Sequence, residues 1–147
     1  SGTTQPSEGI YPGDLFPDIK NIENVAGTKI DLLDLKGKKV LVNFWAASDA
    51  GSRKDNVLLS NVIKKRKYPV QMVSISLDKS EAVFERTVTM DKIDKNYQFW
   101  VDEKVQTDLH DRYHLKKGYK SYLLDESGKI VATNLTPEIL DQLLKEN

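Results

Sequence analysis

The sequence predicts an α/β fold, in which a central mixed β-sheet has helices packed on both of its faces. Two observations support this prediction. Short apolar segments alternate with longer segments whose apolar residues recur at helical spacing, which is typical of parallel strands joined by helical crossovers. The last two apolar segments flank a glycine-containing turn, which indicates an antiparallel hairpin at one edge of the sheet. With 147 residues, of which 39% are hydrophobic, the chain suits one domain.

The first half of the chain supplies the predicted centre of the sheet. Residues 29–35 alternate in part and are predicted to form a short strand. Residues 40–45 (VLVNFW) are apolar and β-prone, as expected of a central strand that is buried on both faces. A helix is predicted from about residue 52 to about residue 67, because apolar residues recur there at helical spacing. The Tyr68-Pro69 dipeptide ends this helix, since the residue before a proline disfavours the α conformation.

The second half completes the predicted order β-β-α-β-α-β-α-β-β-α. Strands are predicted over residues 73–77 and 98–101, and helices over about 80–91 and 105–114. A hairpin over 122–124 and 130–133 turns at Gly128. Thr136 and Pro137 are typical first residues of a helix. Four residues are expected to form the buried stripe of this last helix: Ile139, Leu140, Leu143 and Leu144.

Composition excludes several classes of function. The 22 basic and 22 acidic side chains cancel, whereas nucleic-acid binding needs a basic excess, so no nucleic-acid partner is expected. The basic run at residues 64–67 is expected at a helix end, where cations are favourable. No apolar run is long enough to span a bilayer. The chain contains no cysteine, which rules out disulfides, thiolate nucleophiles and cysteine-bound metals within it. Residues 1–12 are predicted to be a flexible linker, such as the remnant of a removed signal or anchor.

Four segments in order resemble a known family. They read GDLFPDI at 13–19, LLDLKGKKVLVNFWA at 32–46, VSISLD at 73–78 and YLLDESGKIVA at 122–132. These segments are similar to the bacterial TlpA/ResA type of thioredoxin-like thiol-disulfide oxidoreductases, which are relatives of the alkyl hydroperoxide reductase (AhpC/TSA) family. The resemblance implies a thioredoxin-like fold over residues 13–147. It also implies a periplasmic or cell-envelope location, with any tether lying before residue 1.

The chain departs from this family at both signature positions. Where the family has its two exchange cysteines, this chain has Asp49 and Ser52. The family's cis-proline falls on Tyr119, and a cis bond there would cost about 2.5–4 kcal/mol, so a trans bond is predicted. Disulfide exchange needs a thiolate and a second, resolving thiol. The sequence therefore predicts a redox-inactive member that acts as a peptide- or protein-binding or accessory module.

Asp49 and Ser52 have a simpler interpretation as helix-capping residues, because Asp, Ser and Gly suit a helix N-terminus. Three alternatives stay open from the sequence. In the first, Ser52 is a nucleophile, which requires a base close to it. In the second, Asp49 is a general acid or base, or binds a cation together with Asp55. In the third, Arg53 binds an acidic partner, unless its side chain is simply solvated. An enzyme with such non-cysteine chemistry and a structural domain of an envelope assembly remain alternative functions.

Two histidines and two aromatic residues are further candidates for a metal site and a binding site. His110 and His114 have the i, i+4 spacing that places two imidazoles on one metal. Because a metal site needs a third ligand, none is expected, and no cofactor is expected either. Trp45 and Tyr119 are expected to line the groove where family members hold a peptide, so the binding set is Trp45, Asp49, Ser52 and Tyr119. Trp45 and Tyr122 are alternatively core residues.

Overall fold

A computed structural model describes residues 10–146. Within that range the chain forms one seven-stranded mixed sheet with the order β2-β1-β5-β4-β3-β6-β7. The strands are β1 Ile22–Asn24, β2 Lys29–Ile30, β3 Lys39–Trp45, β4 Val70–Ser76, β5 Gln98–Trp100, β6 Ser121–Leu124 and β7 Ile130–Thr133. The α-helices are α1 Ala50–Arg66, α2 Glu81–Met90, α3 Glu103–Tyr113 and α4 Pro137–Lys145. The predicted fold class is confirmed.

Strand β3 is the centre of the sheet, as predicted. It pairs in parallel with β4 and antiparallel with β6, and its residues from Val40 to Trp45 are all buried. Val40, Val42 and Phe44 face a core completed by α3, whose Leu109 and Tyr113 point inward. Leu41 lies on the opposite face, in a second core that α1 and α4 complete. Because consecutive strand residues alternate between faces, one apolar strand serves both cores.

The helix ends follow the predicted capping pattern. Ser80 accepts a hydrogen bond from the Val83 N–H at 3.2 Å, and Thr136 accepts one from the Ile139 N–H at 3.1 Å. The basic run lies in the last turn of α1, where its positive charges interact favourably with the negative end of the helix dipole. Gly128 has the positive φ, +85°, that the hairpin turn requires.

Three predictions about elements are wrong in detail. Residues 29–35 are not one strand: β2 has two residues, and a 3₁₀ helix follows at Leu32–Leu35. There the Asp31 N–H donates to the Asp34 carboxylate at 2.9 Å. A short acidic side chain thus accepts the backbone hydrogen bond that a neighbouring strand would otherwise accept. Strand β1 was not predicted, because three residues show no periodicity.

The third error concerns the last helix. Leu140 and Leu144 are buried and Leu143 is partly buried, but Ile139 is 47% exposed. Helix α4 begins at Pro137, and its contact with α1 turns the side of Ile139 toward solvent. As for the predicted linker at residues 1–12, residues 1–9 lie outside the described part. Ile10 packs, partly buried, against the larger core.

Candidate functional site: the turn between β3 and α1

The turn at residues 46–49 joins the carboxyl end of the central strand to the first turn of α1. Its neighbours in the sheet are β4 and β6. In open α/β sheets, ligands bind outside the carboxyl ends of the strands, where loops from neighbouring strands converge. The position alone therefore makes this turn the first candidate for a site.

Asp49 is the N-cap of α1, as the simpler interpretation predicted. Its backbone is extended, with φ −103° and ψ 101°, and its carboxylate accepts a hydrogen bond from the Ser52 N–H at 2.9 Å. Its carbonyl accepts the Arg53 N–H at 3.0 Å, which begins the helical ladder. The carboxylate also complements the positive end of the helix dipole.

Ser52 holds the turn from the inside. Its side chain is buried, and its hydroxyl accepts a hydrogen bond from the Ala46 N–H at 3.1 Å and lies 3.1 Å from the Asp49 carbonyl, to which it donates. Within the described residues no imidazole or carboxylate hydrogen-bonds to this hydroxyl. Ser52 is thus a structural residue of the turn, and the geometry gives it neither the activating base of a nucleophile nor a surface for a partner.

Asp78 is the residue at this turn that the sequence analysis missed. It is only 7% exposed, and both oxygens of its carboxylate accept the Ala47 N–H, at 2.9 and 3.0 Å. Its main-chain carbonyl accepts the Trp100 indole N–H at 2.8 Å and the Gln106 amide at 2.7 Å. Through these hydrogen bonds Asp78 connects the turn with β5 and α3. Its sequence signal was the acidic residue just after the strand that neighbours β3.

Tyr119 reaches the same site from the segment before β6. The described residues contain no cis peptide bond, so the predicted trans bond before Tyr119 is confirmed. Burial raises the pKa of the Tyr119 phenol, and the negative charges of Asp49 and Asp78 raise this pKa further. The His110 ring lies 6.4 Å from the Tyr119 ring, centroid to centroid. Asp49, Asp78 and His110 therefore all lie near Tyr119.

The main chain at Tyr119 has unused hydrogen-bonding capacity. The Lys120 carbonyl accepts the Phe44 N–H at 3.0 Å, and the Gly118 N–H donates to the Leu115 carbonyl at 3.1 Å. Between them, the Tyr119 N–H and C=O have no hydrogen-bond partner among residues 10–146. Tyr119 itself is partly exposed, so these groups lie at the margin of the site rather than in the core.

Trp45 does not belong to the binding surface. Its side chain is completely buried, and its ring lies 6.2 Å from the Phe84 ring. The last residue of β3 points to the α2 side of the sheet, where Phe84 and Val88 enclose it. The core alternative is therefore correct for Trp45 and also for Tyr122, which is 1% exposed.

Arg53 is not a solvated side chain awaiting a partner. It donates two hydrogen bonds to Asp91 at the end of α2, from Nε at 2.9 Å and from Nη2 at 2.7 Å. This bidentate pair fixes the guanidinium within the molecule. Asp55 is largely exposed; desolvation of its carboxyl raises the pKa of this group, the Lys54 charge lowers this pKa and the Asp49 charge raises it.

Neither the Asp49–Asp55 pair nor the two histidines form a metal centre in the described part of the chain, where no group of three or more His, Asp or Glu side chains is suitably placed. His114 is the C-cap of α3 and has a left-handed backbone, with φ 55°. It therefore leaves the helical path that would align it with His110.

A depression of about 400 Å³ lies on the α2 side of the turn. Its lining combines small residues of the turn with the Arg53–Asp91 ion pair and apolar side chains of α1: Ala47, Ser48, Ala50, Val57 and Leu58. Neither Asp49 nor Tyr119 lines it, so this depression is separate from that pair of residues.

A mixed sheet with helices on both faces and a strand-to-helix turn at the carboxyl end of the central strand defines a protein of the thioredoxin fold. Residues 11–145 match the family model described as Redoxin, and the chain belongs to this family. The resemblance inferred from the sequence is thereby confirmed.

Relatives support the same assignment. The thioredoxin-like protein YneN of Bacillus subtilis is 28% identical over 123 residues, which are 83% of this chain and 70% of YneN. The thiol-disulfide oxidoreductase ResA of Bacillus cereus is 26% identical over 83% of this chain and 69% of its own length.

Among solved structures, a thioredoxin-like protein of Parabacteroides distasonis is 38% identical, covers 93% of this chain and 96% of its own, and has a TM-score of 0.77. A thiol:disulfide interchange protein of Bacteroides sp. is 26% identical, covers 94% of this chain and 90% of its own, and has a TM-score of 0.81. This chain therefore has the fold of a thiol-disulfide oxidoreductase family, yet contains no cysteine.

The cap at Asp49 allows a direct test of the turn. Asp49→Ala is expected to lower the free energy of unfolding by about 1 kcal/mol, because the Ser52 N–H loses its acceptor. Asp49→Asn should keep most of this stability, since its amide oxygen also caps. The measurement is chemical denaturation monitored by circular dichroism. Ser48→Ala is the matched control, because Ser48 is exposed and its side chain makes no hydrogen bond in the described structure. An equal loss in the control would contradict the capping role.

Proposed function

We propose that this protein is a redox-inert member of the Redoxin family that binds a peptide or protein segment at the groove between Asp49 and Tyr119. The observation on which the proposal rests is the pair of unpartnered main-chain groups at Tyr119, beside a turn that has no thiol. An extended peptide satisfies such groups by adding a strand, while neighbouring side chains select its sequence.

The rigidity of the turn supports this proposal. Asp49, Ser52 and Asp78 each hold a backbone N–H of the turn or of the first helical turn. A groove whose wall is already ordered loses less entropy when a segment binds, so modest contacts give useful affinity. The half-buried Tyr119 ring adds an aromatic contact of the kind that contributes strongly at interfaces.

The chemistry of the turn favours binding over catalysis. Disulfide exchange needs two thiols, and the chain has none. The enzyme alternative needs an activated Ser52 or a free Asp49, but the Ser52 hydroxyl is bound to the backbone and the Asp49 carboxylate caps α1. A structural role in an envelope assembly is compatible with the same groove if the bound segment belongs to that assembly.

We place the protein in the periplasm or cell envelope, on the basis of its similarity to exported thiol-disulfide oxidoreductases. No helix within residues 10–146 has the length and apolar character of a membrane span. Cell fractionation of the producing organism, followed by immunodetection of this chain, tests the location. Recovery with the cytoplasmic fraction would overturn it.

The binding proposal is tested with an unfolded polypeptide whose thiols are blocked, such as reduced and carboxymethylated ribonuclease. We expect NMR amide shifts at residues 47–49 and 118–120, and an affinity about tenfold weaker for Tyr119→Ala, because truncating an aromatic contact at an interface has this effect. Tyr11→Ala is the control, since Tyr11 is a tyrosine that is 59% exposed and lies outside the groove. In parallel, insulin reduction should not exceed the rate in buffer. Repeated turnover of insulin disulfides, or absence of binding, would overturn the proposal.

A further inference from the structure

The outward face of α1 presents a regular stripe of four exposed residues. Lys54, Leu58, Asn61 and Lys65 are all exposed, and their spacings of four, three and four residues place them on one side of the helix. We call them the α1 stripe. Val57 and Val62 flank Leu58 and are partly buried, so the middle of the stripe is apolar and its two ends are cationic.

Neither lysine at the ends of the stripe forms an ion pair within residues 10–146, although the Lys54 charge also acts on the neighbouring Asp55. Helix α1 contains five Lys and Arg residues and one acidic residue, Asp55, although the whole chain is neutral. Three of the five basic residues are paired: Arg53 with Asp91, Lys64 with Asp94 and Arg66 with Asp141. Within the described part of the chain Lys54 and Lys65, the two in the stripe, form no ion pair. In the described part of the chain, the fold therefore pairs the basic residues beside the stripe and leaves those on it without an ion pair.

Two depressions adjoin the stripe and share Leu58. The depression of about 400 Å³ on the α2 side, described above, also has Lys54 in its lining. A second depression, of about 380 Å³, lies on the α4 side and is lined by Asn61, Val62, Lys65 and Pro137 together with Leu58. Leu58 thus stands between two hollows that can receive apolar side chains of a partner.

The acidic groups near the stripe are few. Asp91 and Asp141 line the two depressions, but each forms an ion pair with an Arg side chain, and Asp141 also lies 3.6 Å from the Lys145 ammonium. Glu138, at the start of α4, is the acidic side chain of the second depression that has no ion pair among residues 10–146. The acidic residues Asp91 and Asp141 are thus already paired, and a carboxylate of a partner is attracted to the lysines of the stripe.

We infer that the α1 stripe binds a helical segment of another protein, one that places apolar side chains between two carboxylates. Lys54 and Lys65 are eleven residues apart, which corresponds to roughly 16 Å along a helix. A helix lying along α1 presents its own side chains at this same repeat, so its apolar residues meet Leu58 and its acidic residues meet the two lysines. Tyr119 lines neither of the two depressions, and the inference does not depend on the proposed function.

The test uses a synthetic helical peptide with Glu at two positions eleven residues apart and Leu at the two intervening stripe positions. NMR titration of the labelled protein should show shifts concentrated in residues 54–65, and affinity should fall as salt is raised. K54E/K65E should bind about tenfold more weakly, because both attractions become repulsions. K36E/K38E is the control with the same change of charge, since Lys36 and Lys38 are exposed at the opposite end of β3, and it should bind within about twofold of the original chain.

Two further measurements complete the test. Leu58→Ala should also weaken binding, because it removes the apolar contact without changing charge. Tyr119→Ala should leave the affinity for this helical peptide unchanged, whereas it should weaken binding of the unfolded polypeptide. This difference separates the inference from the proposed function. Equal binding by K54E/K65E, equal binding of a peptide whose glutamates are replaced by lysines, or preferential binding of a DNA duplex to the same residues would each overturn it.

Discussion

Asn56→Ala is expected to lower the free energy of unfolding by roughly 3–5 kcal/mol, a large part of the stability of a domain of this size. Asn56 lies on the inner face of α1 and is completely buried, and its side-chain oxygen accepts hydrogen bonds from Asn43 at 3.4 Å, from Ser74 and from Gln98 at 3.1 Å. Its amide nitrogen donates to Gln98 at 3.2 Å. One side chain thus connects α1 with three adjacent strands.

The large cost follows from what the substitution leaves behind. Gln98 is completely buried and loses partners for both its amide oxygen and its amide nitrogen. Asn43 and Ser74 keep only each other, at 3.1 Å. Buried polar groups without partners retain their full desolvation penalty, and the deleted side chain leaves a cavity as well.

Urea denaturation of the two proteins at neutral pH measures this effect. Asn61→Ala is the matched control, because Asn61 lies on the same helix but is exposed, and it should change stability by no more than about 0.5 kcal/mol. An unchanged denaturation midpoint for Asn56→Ala would mean that the buried network contributes nothing net to stability.

The double substitution D49C/S52C is expected to turn a protein without thiols into one that reduces insulin disulfides. Residues three apart in a first helical turn have their Cβ atoms about 5–6 Å apart, and small rotations bring such side chains within disulfide range. Position 49 is exposed and caps α1, where the helix dipole favours a thiolate, whereas position 52 is buried, as suits a resolving thiol.

The measurement is the rate of insulin precipitation with dithiothreitol as reductant. The single variants D49C and S52C are controls that should show no catalytic turnover, because each lacks one of the two thiols. Losing the Asp49 cap costs about 1 kcal/mol and losing the Ser52 hydroxyl bonds costs about 1–3 kcal/mol more, so circular dichroism should first confirm that the double variant folds. A folded double variant that forms the disulfide, as shown by mass spectrometry, yet never reduces insulin would show that the turn has lost more than its cysteines.

Most of the elements near the site could be predicted from the sequence, because local patterns determine them. The apolar run that became β3, the helical repeat of α1 and the capping residues Ser80 and Thr136 all act over a few neighbouring residues, and all were correctly placed. The two-residue β2 and three-residue β1 were not, since segments this short show no period. Their strand structure depends on pairing with β5 and with each other.

The site itself was only partly predictable. Asp49 and Tyr119 could be matched by position to family motifs, but the contribution of Asp78 depends on β4 lying next to β3. Trp45 was expected at the groove and is buried, because the alternation of β3 directs it toward α2. Arg53 was expected to be solvated, and its partner Asp91 lies 38 residues away at the end of another helix.

The sequence by itself determined the fold class, the position of the strand-to-helix turn and the absence of thiol chemistry, because these depend on residue type and on short-range spacing. Only the tertiary structure decided which charges are neutralised. It paired Arg53, Lys64 and Arg66, and among residues 10–146 it left Lys54 and Lys65 without an ion pair on one face of α1. Ion pairs and buried contacts depend on distances between segments far apart in sequence, and chain folding sets those distances.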